Sequence, residues 1–194
     1  MSLRDLLRVN RSYRRFHQQP IEHDTLVEFV ELTRLCPSAA NRQPLKYLLA
    51  WEPEQTAAIF PHLRWAAALT DWPGPAQGER PTAYIVILGD TRVWRRWDWD
   101  TGIVAQTMLL AAAERGLGGC MIATIDQPGL RAVLRLPEHL EILMAIALGK
   151  PKETVVLEPG QPEPRPYWRD ADQVHHVPKR PLSELLIEPG KVTS

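Results

Sequence analysis

Three largely apolar stretches constrain this chain more than any other feature: Ala83–Leu88 (AYIVIL), Ile103–Ala113 (IVAQTMLLAAA) and Ile142–Leu148 (ILMAIAL). The first and third are short. They are closed by Gly89-Asp90 and by Gly149, as expected for strands buried on both faces. The second lies inside a longer helical stretch, Asp98–Arg115. Asp98 and Asp100 sit near its positive end and Arg115 near its negative end, as the helix dipole favours. Gly116 is placed to end the helix in a left-handed conformation. A helix that is apolar nearly all round belongs in a core. At 194 residues, 44% of them hydrophobic, the chain can bury one sizeable core but not two.

The remaining elements fill in around this frame. Leu3, Leu6 and Leu7 suggest a first helix. Asp24 is placed to cap a second, with Leu26, Phe29, Val30 and Thr33 on one face and Pro37 as its stop. A loop from Cys36 to Pro44 leads to a strand at Lys46–Trp51. Helical sequence follows from about Glu54 to Leu69, then a Pro/Gly loop from Trp72 to Pro81. Gly118–Thr124 reads as a short extended segment, and Asp126 can cap a helix running to about Arg135. Helices and strands alternate without regular βαβ spacing. The expected class is therefore α+β, in three layers, with one mixed sheet and a buried helix.

Beyond Gly149 the character changes. Residues 151–181 contain seven prolines, too many for an ordinary core. Yet the segment carries Val155, Val156, Leu157, Tyr167, Trp168 and Val177. An extended arm that lies on its own domain or on a second protomer is the expectation: one domain, with 1–150 as core and 151–194 as arm.

Lys+Arg and Asp+Glu both number 23, so net charge supplies no attraction for nucleic acid or an anionic membrane and little repulsion between copies. No apolar run is long enough to span a bilayer, and Arg4 and Asp5 interrupt any secretory signal. Cys36 and Cys120 are far apart and without metal-ligand spacing, which points to reduced thiols in a cytoplasmic protein. His175-His176 would face opposite sides of a strand, a poor chelate, and no metal is expected.

Charge is nonetheless uneven. The first twenty residues hold Arg4, Arg8, Arg11, Arg14 and Arg15 against Asp5 alone. In Asn10-Arg-Ser-Tyr-Arg-Arg-Phe16, planar guanidiniums and the Ser12 hydroxyl form a donor set suited to a phosphate, though a solvated basic helix end is the commoner meaning of such a cluster. Cys36-Pro-Ser-Ala-Ala-Asn-Arg-Gln-Pro44 offers the Asn41 and Gln43 carboxamides, which suit the alternating edge of a heterocycle as well as an ordinary turn. Val177-Pro-Lys-Arg-Pro181 is a second basic cluster. Gly116-Leu-Gly-Gly119 follows a helix instead of opening one, and so argues against a Rossmann dinucleotide fingerprint. Trp94, Trp97 and Trp99 crowd into six residues and suit an interface, a core edge or a stacking surface.

The order of these pieces is specific. RSYRRF, PSAANRQP, an apolar strand ending in GD, DTGIVAQTMLLAAAERGLGGCMIATID, MAIALGKP and KRPLSEL together resemble the nitroreductase family of FMN enzymes over roughly residues 3–187. The resemblance implies a three-layer α-β-α fold, with a central mixed or antiparallel sheet around a buried helix, and a homodimer with two FMN sites at the subunit interface and exchanged C-terminal arms. It implies that Arg11, Ser12 and either Lys179 or Arg180 hold the FMN phosphate, with Arg14 nearer the N1/O2 edge. Pro37, Ser38 and Asn41 would reach the ring from the other subunit, with Gln43 near the pyrimidine edge. Met121, Ile122, Ala123 and Thr124 would run past the ring, the Ala123 N–H facing N5. The implied activity is two-electron transfer from NAD(P)H to an electron-poor small molecule such as a nitroaromatic or quinone, by a ping-pong mechanism without a side-chain nucleophile. An FMN carrier or sensor without turnover, and a relative doing reductive dehalogenation or flavin breakdown, are the alternatives. The family's basic residue ahead of Arg11 is replaced by Asn10, and the inserted helical excursion of larger members is missing.

Overall fold

The structure, a computed structural model, describes residues 1–160 and 165–187. Pro162 and Pro164 of the proline-rich segment, and the chain beyond Ile187, lie outside the described residues. The fold is α+β and divides into two compact units. One is Met1–Trp65 with Pro73–Lys152; the other is Ala66–Trp72 with the chain from Glu153 on.

The first unit is built on β3 (Ala83–Asp90), in which every residue is buried. Its neighbours are β2 (Leu45–Ala50) on one side and β5 (Leu140–Pro151) on the other, both antiparallel. The far edge of β5 carries β4 (Gly118–Ile122) and the two-residue β1 (Phe16–His17), again antiparallel. Every ladder of this five-stranded sheet is antiparallel, one of the two forms, mixed or antiparallel, that the resemblance implies. Both buried strands continue past the glycines expected to close them: β3 includes Gly89-Asp90, and β5 runs through Gly149 to Pro151.

Period-two alternation divides β3 between two faces. Ala83, Ile85 and Ile87 join the main core with Leu26 and Phe29 of α2 (His23–Thr33) and with Val104, Ala105, Met108, Leu109 and Ala112 of α4 (Asp98–Glu114). α4 is thus the core helix its composition calls for, and Gly116 follows it at φ 67. Two terminal signals differ from expectation. Asp24 lies inside the first turn of α2; Glu22 holds the cap position, without a side-chain cap bond. The helix after β2, α3, spans only Pro53–Ile59 and passes into a 3-10 turn at Phe60–His62, where Pro61 removes a backbone donor. Asp126 caps α5 (Gln127–Leu134) by accepting the Gly129 N–H, as expected. The opening helix α1 (Leu3–Val9) carries a reciprocal Ser2/Asp5 capping box.

In the second unit the described residues form a small sheet in which β8 (His175–Lys179) lies between β6 (Val155–Pro159), parallel to it, and β7 (Trp168–Arg169), antiparallel to it. The apolar residues that suggested an arm are largely in these strands. The unit buries a charge pair, Arg169 to Glu153 at 2.9 Å, and His175. His176 stacks flat on Trp168 and is held between Asp170 and Glu158. Among the described residues no helix is long and apolar enough to cross a membrane.

Candidate active site

The basic segment after α1 is seated on the open edge of β4. Ser12 bridges to Gly119 in parallel, and the Tyr13 N–H donates to the Gly119 carbonyl at 3.0 Å. The glycines make this approach possible. A side chain at Gly118 would run into the Tyr13 ring, and one at Gly119 into the Ala147 carbonyl. GLGG is therefore both the end of α4 and the place where strand and basic segment meet at close range.

Three arginines leave the segment in different directions. The Arg11 Nη2 donates to the Leu7 carbonyl at 2.5 Å, tying it to the end of α1, while its Nε is buried with no hydrogen-bond partner. Arg14 donates to the Ser12 carbonyl at 3.2 Å. Arg15 is committed elsewhere. Its Nε and Nη2 grip Glu79 at 2.6 and 2.8 Å, and Lys152 joins the same carboxylate at 2.9 Å. The Arg15 hydrogen bond is the main reason the Glu79 carboxyl falls to about 2. Ser12 is exposed, and Arg11 and Arg14 are partly so.

Along β4, backbone groups of alternate residues point to alternate edges. Since Gly119 faces Tyr13 and not β5, the Met121 N–H faces the same open edge. Met121, Ala123 and Thr124 are exposed and Ile122 is buried. The edge closes where the Arg64 N–H donates to the Thr124 carbonyl at 3.0 Å. Arg11, Ser12, Arg14 and Met121–Thr124 thus line one edge of one strand.

The loop from Pro37 to Pro44 is elsewhere. It precedes β2, whose Leu45 pairs with Gly89, and its Pro44 carbonyl accepts the Asp90 N–H. The Ser12–Gly119 contact is at the other end of β3, level with Leu148 and Ala83. Loop and basic segment therefore lie at opposite ends of the sheet, roughly 20 Å apart along the strands, and on opposite edges, about 14 Å apart across them. Loop and segment of one chain do not meet.

The loop is tightly organised. Ala40, Asn41 and Gln43 all have left-handed backbones, at φ 50, 53 and 50. The Ser38 hydroxyl donates to Asp100 at 2.5 Å and accepts the Gln43 N–H at 2.9 Å. The Ala39 N–H donates to the other Asp100 oxygen at 3.0 Å. The Gln43 amide donates to the Asn41 side chain at 3.0 Å, and Arg42 lies over the Trp94 ring, 4.6 Å from its centroid. Pro37, Asn41 and Gln43 are exposed and Ser38 is half-buried. Beneath the loop is a cavity of about 190 Å³, lined by Cys36, Ser38, Tyr47, Asp100 and Val104 among others. Burial raises the Tyr47 hydroxyl above its ordinary range.

In the second unit Lys179 ends β8, and Arg180 follows, 3.6 Å from Glu184. Trp97 packs its ring on Gly89 and Trp99 is exposed. Sequence reasoning missed Asp100, which it read only as a helix-end charge, and the Glu79 clasp that withdraws Arg15. The signal for Asp100 in the sequence was a carboxylate at the head of a helix apolar nearly all round; the structure buries it to 3% exposure.

The model of the nitroreductase family matches residues 7–150. A Thermus thermophilus protein named NADH dehydrogenase is 29% identical over 175 residues, covering 74% of this chain and 83% of the relative. Among solved structures, a nitroreductase family protein from Clostridium difficile 630 superposes with a TM-score of 0.64 at 24% identity, over 79% of this chain and 86% of that one. An FMN-dependent nitroreductase from Clostridium difficile superposes at 0.61 with 20% identity, over 86% and 92%. With its antiparallel sheet, core helix and glycine-lined strand edge, this chain belongs to the nitroreductase family.

Proposed function

We propose that the chain is an FMN-dependent oxidoreductase that passes two electrons from NAD(P)H to an electron-poor small molecule, a nitroaromatic or quinone, in a ping-pong cycle. The observation that carries the reading is the donor set on the β4 edge. A buried guanidinium donor left unmatched costs about 1–3 kcal/mol, and the Arg11 Nε is such a donor, beside the exposed Ser12 hydroxyl and Arg14. A phosphate oxygen supplies the acceptor it lacks. The names of two similar proteins, NADH dehydrogenase and FMN-dependent nitroreductase, support the same chemistry.

FMN, when bound, supplies the redox chemistry itself. Arg11 and Ser12 would hold its phosphate, with Lys179 or Arg180 as the proposed further cation. Arg14 would stabilise negative charge at the N1/O2 edge. Met121–Thr124 would line the ring, presenting a backbone N–H from the open edge. Pro37, Ser38, Asn41 and Gln43 would reach the ring from a second copy. The separation of loop and basic segment within one chain supports that homodimer, since one copy does not bring both to one ring. Cys36 and Cys120 are not joined in a disulfide, which supports a reducing, cytoplasmic setting.

The test is a pair of titrations, FMN and riboflavin, with wild type and Arg11→Ala, followed by NADH or NADPH oxidation with a quinone. The wild type should bind FMN more tightly than riboflavin and turn over. Arg11→Ala should weaken FMN by about 30-fold, or ~2 kcal/mol, and riboflavin little. A wild type that binds neither flavin overturns the reading; one that binds FMN without oxidising a nicotinamide is a carrier instead.

A further inference from the structure

We infer that Asp100 is a positioning residue: it locks the 38–43 loop from beneath, in the one shape that presents Asn41 and Gln43 to a flavin ring. The inference rests on the flavin reading above, but the lock itself is a property of this chain alone.

The loop does not keep this shape by its own preference. Left-handed backbone costs an ordinary L residue about 1–2 kcal/mol, and Ala40 and Gln43 both adopt it without glycine's exemption. Such strain persists only where the surroundings over-determine it. Here the surroundings converge on one carboxylate. One Asp100 oxygen takes the Ser38 hydroxyl and the other the Ala39 N–H, just before the first left-handed residue. The Ser38 oxygen in turn takes the N–H of Gln43, the last. A single chain of hydrogen bonds, Asp100 to Ser38 to Gln43, thus clamps both ends of the strained stretch. Asp100 is buried in the first turn of α4, whose own body is held in the core by Val104, Ala105 and Met108. Loop shape is thereby referred to the core helix of the fold. What emerges on the surface is the Asn41–Gln43 carboxamide pair, already hydrogen-bonded to each other and exposed. Preorganised polar groups bind a rigid heterocycle without an ordering cost at the moment of binding.

The role assigned to Ser38 changes with this. Its hydroxyl proton is committed to Asp100 and one of its lone pairs to the Gln43 N–H. Ser38 reaches the flavin through loop shape, and the side chains that recognise are Asn41 and Gln43.

The experiment compares wild type, Asp100→Asn and Ser38→Ala as full-length proteins. Amide exchange of residues 38–43 is measured without flavin; FMN and riboflavin affinities are measured separately. Ala39 and Gln43 amides should exchange slowly in wild type and at least about 10-fold faster in both variants, with β3 and β5 amides unchanged. FMN and riboflavin should weaken by the same factor, about 10-fold, because the loop touches the ring and not the phosphate. That equal loss separates the lock from Arg11→Ala, which discriminates between the two flavins. If Asp100→Asn does not fold, Ser38→Ala alone carries the test, since it removes only the hydroxyl at the middle of the clamp. Unchanged exchange at 39 and 43, or flavin affinities within two-fold of wild type, overturns the proposal. Faster exchange in the variants of a wild type that binds no flavin leaves the lock standing and removes the flavin reading.

Discussion

The basic segment at 11–14 and the loop at 38–43 both follow a helix and both present polar groups, yet they are held in opposite ways. The segment is fixed through its backbone, by the Ser12 bridge and the Tyr13 N–H on Gly119, which leaves Ser12 exposed and Arg11 with an unmatched donor. The loop is fixed through side chains, by Asp100, Ser38 and Arg42, which leaves its backbone strained and its carboxamides paired. Under the proposed function, the difference follows from what each would hold. A phosphate dianion needs unspent charge, and any frame that keeps donors unspent will serve. A planar ring edge needs donors and acceptors at set spacings, so shape has to be built in.

Gly119→Val attacks the segment's frame directly. Its Cβ would meet the Ala147 carbonyl and sit about 3 Å from Leu148 and Leu109 side-chain atoms, so β4 has to leave β5. The expected loss exceeds about 4 kcal/mol and the protein fails to accumulate. Gly78→Ala, where nothing lies within 4 Å of the new atom, should stay within about 0.5 kcal/mol in a urea melt. If Gly119→Val melts like wild type, β4 does not hold the basic segment in the way described.

Much of the frame was legible because it is local. The apolar runs marked β3, β5 and α4, and Asp126 marked the start of α5. The strand order was not legible, since which strands meet is decided by connections the periodicity does not encode. Glu54–Leu69 was over-read because Ala-rich sequence continues past Pro61, while the helix gives way to a 3-10 turn at that proline. At the candidate site the charge excess near the N-terminus was visible, as composition always is. The clamp was not: Asp100 and Ser38 are 62 residues apart, and the left-handed residues between Ala40 and Gln43 include no glycine to announce them. Likewise five arginines look alike in sequence, and only the fold shows Arg15 spent on Glu79 while Arg11 keeps a buried donor unmatched. The proline-rich end looked unable to build a core because its burial is ionic as much as apolar, Arg169 against Glu153 and His176 between two carboxylates.

Acid should act on the segment through Glu79. Arg15 and then Lys152 hold the Glu79 carboxyl at about 2, below its ordinary value near 4.5. A carboxyl with a depressed folded value contributes stability that is complete above the unfolded pKa and is lost as pH falls through the folded one. The contribution should therefore be full above about pH 5 and disappear progressively toward pH 2. Glu79→Gln should flatten that part of the stability-against-pH curve, measured by urea melts, and lower stability at pH 7. Identical curves for variant and wild type between pH 5 and 2 would mean that Arg15 is not committed to Glu79. In that case Arg15 would be as available to an anion as its neighbours.

The smallest effect is the one that ranks the loop's supports. Arg42 over Trp94 is an exposed cation–π contact, worth about 0.5–1 kcal/mol. Arg42→Ala should therefore weaken FMN and riboflavin by only about 2- to 5-fold, and Arg42→Lys, which keeps the cation, by less. Asp100 makes two hydrogen bonds from a buried position, so its variant has to cost more than either. If Arg42→Ala proved the costlier, the loop would be hung from Trp94 at its exit and not clamped from α4. The strain at Ala40 and Gln43 would then have to be sustained from the far side of Pro44, where the Asp90 N–H bond is the remaining tie to the sheet.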